Sequence, residues 1–557
     1  MVTIHGQGVC GGIAFGKLEL LKKSVKLVQK SHIEDTKREI QRFEQAKEKA
    51  SRQLRELYEK AKAEVGEENA MIFDIHSMML EDEDYISSIK SGITAQRLNA
   101  ESAVAMTADN FAHMFASMDD SYMQARAGDV RDISERIISI LANASMAGIS
   151  SDSPVIIGAR DLAPSETVQL DKSKILAFVT EEGSSNSHTS ILARTMNIPA
   201  VIGAVGIMED IFNGTDIIVD GFTGEIYVNP DMHTVLKMQQ KKQQSDEQNK
   251  LLRKLRGVEP KTKDGQKILL YANIGSIEDM PSVYANDAMG IGLFRSEFIY
   301  LERKSFPTED EQFEIYKSAA QKAIGKRVII RTLDIGADKQ IDYFQMPKEE
   351  NPAMGVRAIR ICLSRPNIFK TQLRALYRAS AFGNIAIMFP MITSVKEVKQ
   401  IKEICSEVQN ELKSEGIHFN PDTELGIMIE TPAAAIISDM LAKEVDFFSI
   451  GTNDLTQYTL AVDRQNPLAE AFCDIKHPAI LRMIHTVAEN AHKNGIWAGI
   501  CGELAGDMSL TELFLAMGID ELSVSPGLIL PIKQKILDTN VSEIRDKLLN
   551  KLLNKLE

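Results

Sequence analysis

The chain has 557 residues, 44% of them hydrophobic and 25% charged, with a formal net charge of -14; it is too long for one hydrophobic core and predicts two or three domains. The acidic balance excludes nucleic acid as a partner, since phosphates need Lys and Arg to displace their counterions, and it fits a partner with a basic face. Five scattered cysteines (Cys10, Cys362, Cys405, Cys473, Cys501) without a CxxC pair, no signal-like leader and no apolar run of ~20 residues predict a cytoplasmic protein without structural zinc or membrane insertion.

The N-terminal segment is Gly-rich and then β-like. From Ile33 the pattern turns helical, with Ile40, Phe43, Ala50, Leu54, Leu57 and Ala61 at three- and four-residue steps. Further helical patterns run from Met71 to Leu80, Ala103 to Met118 and Val130 to Leu141, so residues 33–143 predict a helical bundle. Short β-rich runs (PVIIG, KILAFVT, DIIVDG, EIYV) then alternate with the helical HTSILARTM. The bundle therefore reads as an insertion within a small α/β domain made of residues 1–32 and 144–230. Residues 231–258 are polar and helix-favouring, the texture of a mostly solvated linker helix, with Gly224 and Gly257 as candidate hinges.

From 259 to 557 the pattern is most regular. KILLYANI, AMGIGLFR, RVIIRTLDIG, NIAIMFPMI, ELGIMIET, DFFSIGTND, WAGICGE and ELSVS are continuous apolar runs, most of them separated by helical patterns. Eight such units predict a (β/α)8 barrel, whose chemistry lies at the C-terminal ends of its strands. Those ends hold Asn273, Arg295, Arg331 with Asp334, Met391, Glu430, Asn453 with Asp454, Cys501 and Ser525. Arg295, Arg331 and Arg464 suit bidentate grip on phosphate or carboxylate. Glu430 and Asp454 suit Mg²⁺, which takes one or two protein carboxylates and completes its shell with substrate oxygens and water. The alternative is a purely structural ion-pair network, as plausible for any one residue but not for the set. Cys501 reads as a proton donor rather than a nucleophile, because no His accompanies it locally. His188, in EEGSSNSHTSILAR, should stand at a helix N-terminus, where free N–H groups and the dipole would stabilise an added phosphoryl group.

These stretches, together with IPAVIG, PSETVQLD, ENAMIFDIHSMMLEDED, GIGLFRSEF, RTLDIGADK, NPAMGVRAIR, GIMIETP, GTNDLTQYTLAVDR and CGELAGD, carry a resemblance over nearly the whole chain. The sequence resembles enzyme I of the bacterial phosphoenolpyruvate-dependent sugar phosphotransferase system. The resemblance implies a small swivelling phosphohistidine α/β domain with an inserted helical bundle, followed by a TIM barrel. It implies that His188 accepts the phosphoryl group of phosphoenolpyruvate, assisted by Thr167, and passes it to the histidine-containing phosphocarrier protein. It further implies that Arg295, Arg331, Arg357, Arg464 and Asn453 bind substrate, that Glu430 and Asp454 hold Mg²⁺, that Cys501 protonates the enolate carbon, and that the barrel forms a homodimer. The bundle would bind the carrier, and the acidic stretch of Glu67, Glu68, Glu81, Asp82, Glu83 and Asp84, beside Met78, Met79 and Leu80, is the candidate surface. Ser184, Asn186, Ala337, Val356 and Gln465 depart from the family pattern. Two other readings share the fold: a degenerate regulatory scaffold, and an enzyme like pyruvate phosphate dikinase, for which no ATP-binding segment is evident.

Overall fold

The computed structural model describes all residues except 22–29, 66, 117–120, 143–152, 163–165, 167–169, 184–188, 191–192, 194–197, 302, 304, 337–341, 348, 464–465, 467–468, 470–471 and 555–557. The chain divides into two compact units, Met1–Gln248 and Asn249–Glu557.

The first unit is built on an eight-stranded sheet: β1 (Val2–His5), β2 (Gln7–Cys10), β3 (Ile13–Leu20), β4 (Val155–Ala159), β5 (Ile175–Thr180), β6 (Ala200–Ile202), β7 (Asp216–Asp220) and β8 (Glu225–Val228). Its order is β1-β8-β7-β3-β4-β5-β6-β2, so the first ten residues supply both edges. β3 and β4 lie side by side in parallel, Leu18 opposite Ile156, although a helical bundle separates them in the chain. That bundle comprises α1 (Thr36–Val65), α2 (Glu67–Leu80), α3 (Glu83–Ala95), α4 (Ala100–Ala116) and α5 (Ser121–Leu141). Phe43, Ala46, Ala50 and Leu54, at helical spacing on α1, are buried in its core with Ile89, Ile93, Val104 and Ile137.

Helix α3 has no counterpart among the helical patterns in the sequence. Its segment carries Ser87, Ser88, Ser91 and Gly92 and has weak helix propensity, and its start is fixed by Asp82, which accepts the Tyr85 N–H at 2.9 Å. Leu80 is buried in the bundle core, 1% exposed, and so is no surface anchor; Met78, 69% exposed, presents itself to solvent.

The polar segment after β8 forms α6 (Met232–Arg253), within which the division between the units falls. It is largely exposed, as its composition requires, but one stripe is not. Met238 is buried against Ile13 and Ile218, and Lys241 pairs with the buried Asp220 at 2.5 Å. Both candidate hinge glycines are tied down locally: Gly224 N–H donates to Asp220 O at 2.8 Å, and Gly257 N–H to Asp287 Oδ2 at 2.7 Å.

The second unit is a closed barrel of eight parallel strands: β9 (Leu269–Ile274), β10 (Ile291–Arg295), β11 (Val328–Arg331), β12 (Ile385–Phe389), β13 (Leu425–Ile429), β14 (Phe447–Ile450), β15 (Trp497–Ile500) and β16 (Glu521–Val524). Each arises from one of the eight apolar runs in the sequence. Alternate residues face out to the surrounding helices (Leu270, Ile330, Ile387, Ile427) and into the lumen (Tyr271, Ile329, Met388, Met428, Phe447), so both faces are apolar. No disulfide joins the cysteines. No helix among the described residues is long and apolar enough to cross a membrane.

Candidate active site

At the C-terminal mouth of the barrel, lumen-facing positions change from apolar to charged. Arg295 ends β10 and Arg331 ends β11, in register beside each other. Arg331 is buried and gripped by two carboxylates, Glu297 Oε1 at 2.5 Å and Asp334 Oδ2 at 2.8 Å. The other oxygen of Asp334 accepts from Arg357 Nη2 at 2.9 Å, while Arg357 Nη1 lies 3.2 Å from the Tyr458 hydroxyl and 3.6 Å from Asp454 Oδ1. Asp334 thus bridges two guanidinium groups, one on each of its oxygens. Arg295 differs: half-buried, it has no hydrogen-bond or ion-pair partner among the described residues.

Glu430 follows β13 and is 1% exposed. Its Oε1 accepts the Met391 N–H at 2.6 Å, while Oε2 has no partner among the described residues. Burial pushes this carboxyl well above the usual range, and the charges of Asp454 and Asp334 add to it against the pull of Arg331 and Arg357. Asp454 stands in the first turn of α7 (Thr452–Leu460), which leaves β14 through Gly451. A Cβ at Gly451 would fall 2.9 Å from Glu430 Oε2, so the turn passes against the carboxylate. Met391 donates from a left-handed backbone, φ 58°, and Ala358, beside Arg357, has φ 52°. Each conformation costs about 1–3 kcal/mol in a non-glycine residue, and such strain clusters where function demands a fixed geometry.

Cys501 follows β15 and is 2% exposed, its thiol 3.7 Å from Ile450 O. Burial pushes it up to about 12, so it holds its proton at neutral pH. Asn273 braces this corner, donating to Cys501 O at 3.0 Å and to Ser523 O at 3.1 Å. Asn453 exchanges hydrogen bonds with Glu503, both at 3.1 Å.

The structure therefore gathers Arg295, Arg331, Arg357, Glu430, Asn453, Asp454 and Cys501 at one end of the barrel unit. Thr167, His188, Arg464 and the departures Ser184, Asn186, Ala337 and Gln465 lie outside the described residues. Sequence reasoning missed Glu297 and Tyr458. Glu297 stands two residues beyond Arg295 in FRSEF, and an acid that close to a strand-end arginine was the available signal. No group of three or more His, Cys, Asp and Glu side chains among the described residues is arranged to hold a metal alone. The unpartnered Glu430 Oε2, on a carboxyl close enough to Asp454 to feel its charge, nevertheless fits a cation that completes its shell with substrate oxygens, the habit of Mg²⁺.

A parallel barrel with arginines and paired carboxylates at its C-terminal mouth defines an enzyme for a small, multiply charged anion. Three families match in chain order: PEP-utilising enzyme, N-terminal, over residues 5–126; PEP-utilising enzyme, mobile domain, over 151–224; and PEP-utilising enzyme, PEP-binding domain, over 249–541. Phosphoenolpyruvate-protein phosphotransferases of Priestia megaterium and Bacillus subtilis (strain 168) are each 43% identical to it. The first alignment covers 98% of this chain and 95% of the relative, the second 96% and 94%. An NMR solution structure of an Enzyme I protein is 34% identical over 44% of this chain and 99% of its own, with a TM-score of 0.38. The chain belongs to the phosphoenolpyruvate-protein phosphotransferase family of PEP-utilising enzymes.

Proposed function

We propose that the protein takes the phosphoryl group of phosphoenolpyruvate onto His188, releases pyruvate, and passes the phosphoryl group to the histidine-containing phosphocarrier protein as the first step of sugar uptake. The observation that carries this reading is the unpartnered Arg295 beside the carboxylate-locked Arg331, at the same barrel mouth as Arg357 and as Glu430 with its one unpartnered oxygen. Arg295, Arg331, Arg357, Arg464 and Asn453 bind the substrate's phosphate and carboxylate. Because Asp334 already fixes Arg331 and Arg357, little side-chain freedom is lost when substrate arrives. Glu430 and Asp454 would hold Mg²⁺, which when bound offsets charge on the phosphate oxygens.

The P–O bond of the substrate breaks as the N–P bond to His188 forms, with Thr167 assisting, and the arginines neutralise charge on the equatorial oxygens. The enolate carbon then takes the Cys501 proton and pyruvate leaves. Met78 and the exposed Glu81, Glu83 and Asp84 form the carrier surface together with Glu67 and Glu68. The reading includes a homodimer through the barrel. The reading implies a cytoplasmic protein.

Incubation with labelled phosphoenolpyruvate and Mg²⁺ should give an acid-labile, base-stable label that His188→Ala abolishes. Such label persisting on the variant would overturn the assignment of His188.

A further inference from the structure

Behind the arginines the barrel unit holds a buried amide that packing alone does not require. Gln372 lies on the helix Pro366–Ser380, 1% exposed, on the same stripe as Phe369, Leu373 and Leu376, which pack into the core around the barrel. An apolar side chain would fill such a place without stripping an amide of water. The amide is instead saturated. Its Oε1 accepts the Leu333 N–H at 2.9 Å, and its Nε2 donates to Ser296 Oγ and to the Tyr316 hydroxyl, both at 3.0 Å. A backbone N–H can only donate, so the amide oxygen must face Leu333 and the nitrogen must face the two hydroxyls. All three partners are themselves fully buried.

Two of those partners frame the site. The ladder between β10 and β11 ends at the register pair Arg295 and Arg331. Ser296 stands between Arg295 and Glu297, and Leu333 lies two residues beyond Arg331 and directly before Asp334. Glu297 and Asp334 are the two carboxylates that grip Arg331. Gln372 thus spans the two chain segments just past the last paired residues and holds both jaws of that grip. Arg295 and Arg331 carry like charge on neighbouring strands, and a neutral brace keeps their spacing without adding to the charge. The far side of the brace is firm. Tyr316 donates on to Gln312 Oε1 at 3.3 Å, which also accepts from Tyr300 at 3.0 Å, and Gln312 Nε2 donates to Pro307 O at 3.1 Å. Gln312 and Tyr316 belong to the helix Glu309–Lys322, whose start is closed by Thr308 and Glu311 in a capping box.

We propose that Gln372 is the positioning residue that sets the spacing of Arg295 and Arg331, and through it the fit of the substrate's phosphate. The proposal rests on the reading of both arginines as phosphoenolpyruvate ligands. Gln372 touches no substrate; it acts through Ser296 and Leu333. Group transfer tolerates little misplacement, and a shift of ~1 Å caused far from the chemistry costs on the order of 10²-fold.

The test is rapid-quench labelling of the full-length protein by labelled phosphoenolpyruvate with Mg²⁺. Substrate concentration is varied, so that maximal rate and half-saturating concentration are read separately. Gln372→Met keeps the side chain's length and removes all three hydrogen bonds. Ser296→Ala removes only the one beside Arg295. Tyr316→Phe removes one of equal length on the side away from the site and is the structural control. The ratio of maximal rate to half-saturating concentration should fall about 10²-fold in Gln372→Met. It should fall about tenfold in Ser296→Ala, the scale of one hydrogen bond, and by less than about twofold in Tyr316→Phe. Tyr316→Phe should nevertheless lower the melting temperature at least as much as Ser296→Ala does. Combining Gln372→Met with Ser296→Ala should cost no more activity than Gln372→Met alone, because both break one bridge. Equal losses of activity in Gln372→Met and Tyr316→Phe, or additive losses in the combination, would reduce Gln372 to packing and overturn the proposal. Arg295→Ala separates the brace from the reading beneath it. If that variant labels as wild type, the reading of the arginines fails and the proposal with it. If it labels poorly while Gln372→Met matches wild type, the brace alone is overturned. Should Gln372→Met fail to fold, Ser296→Ala against Tyr316→Phe decides by the same criterion.

Discussion

Neutralising Glu83 and Asp84 together, as Glu83→Gln with Asp84→Asn, tests the carrier surface while measuring what these acids do for the fold. Both are exposed in the first turn of α3, behind the Asp82 cap. A carboxylate there is worth about 0.3–1 kcal/mol through the helix dipole, so losing both costs about 0.6–2 kcal/mol. The helix should survive, because Tyr85, Ile89 and Ile93 are buried in the bundle and each contributes about 1.5–3 kcal/mol. Reversal to Lys would roughly double the electrostatic loss and blur the result, which is why neutralisation is preferred. Urea unfolding measures the stability change. Rapid-quench transfer from the phosphorylated protein to the carrier, at low and high ionic strength, measures docking. The association rate should fall about tenfold at low salt, with a shallower salt dependence and unchanged labelling of His188. A variant that loses stability yet keeps the wild-type rate and salt dependence would assign both acids to the helix alone.

Leu80→Ala should destabilise the bundle by about 2–5 kcal/mol, the range for truncating a buried leucine, without changing carrier affinity below the thermal transition; scanning calorimetry and a binding titration check both. Arg357→Lys removes the planar fork that reaches Asp334, Tyr458 and Asp454 at once. KM for phosphoenolpyruvate should rise roughly tenfold, the price of about one charged hydrogen bond, and an unchanged KM would remove Arg357 from the substrate site. Glu521, which opens β16, is fully buried with neither carboxyl oxygen hydrogen-bonded among the described residues, and Glu521→Gln should change how barrel stability depends on pH. The raised carboxyl keeps its proton in the native barrel when the unfolded chain has released it, so native stability falls as pH rises above about 4.3, by up to about 1.4 kcal/mol per pH unit. The Gln variant lacks that slope, and its advantage over wild type should be larger at pH 8 than at pH 5; parallel pH profiles would show that Glu521 is ionised in the native state.

The barrel was legible because strands buried on both faces must be apolar without interruption, which no solvated element imitates. The bundle's α1 was legible because Phe43, Ala50 and Leu54 hold strict helical spacing, whereas α3 depends on its cap and its neighbours and leaves little trace in local propensity. Leu80 looked like an anchor because it sits among acids and methionines; only packing reveals which side of α2 it faces. Arg331 and Glu430 could be assigned to the mouth from strand counting. The carboxylates that lock Arg331 and Arg357 could not, since which side chains meet there depends on the stagger of strands around a closed barrel. Glu521 was invisible for a related reason: a strand-opening acid is ordinarily solvated, and only the closeness of Gly292 on β10 and Gly499 on β15 to its carboxyl shows that this one turns inward.

The seating of β1 and β2 at opposite edges of the first unit's sheet bears on how the chain folds as it is made. β1 and β2 are made before the other strands of their sheet, yet β2 must wait for β6 and β1 for β8 before either finds a partner. β3 meets β4 only after the whole bundle has emerged between them. Collapse of the five helices brings the ends of that long intervening segment together early and lessens the entropy of closing it. The bundle is in this sense a folding clamp for the sheet that carries it, and lesions in its core should delay pairing of β3 with β4 even where the finished protein tolerates them.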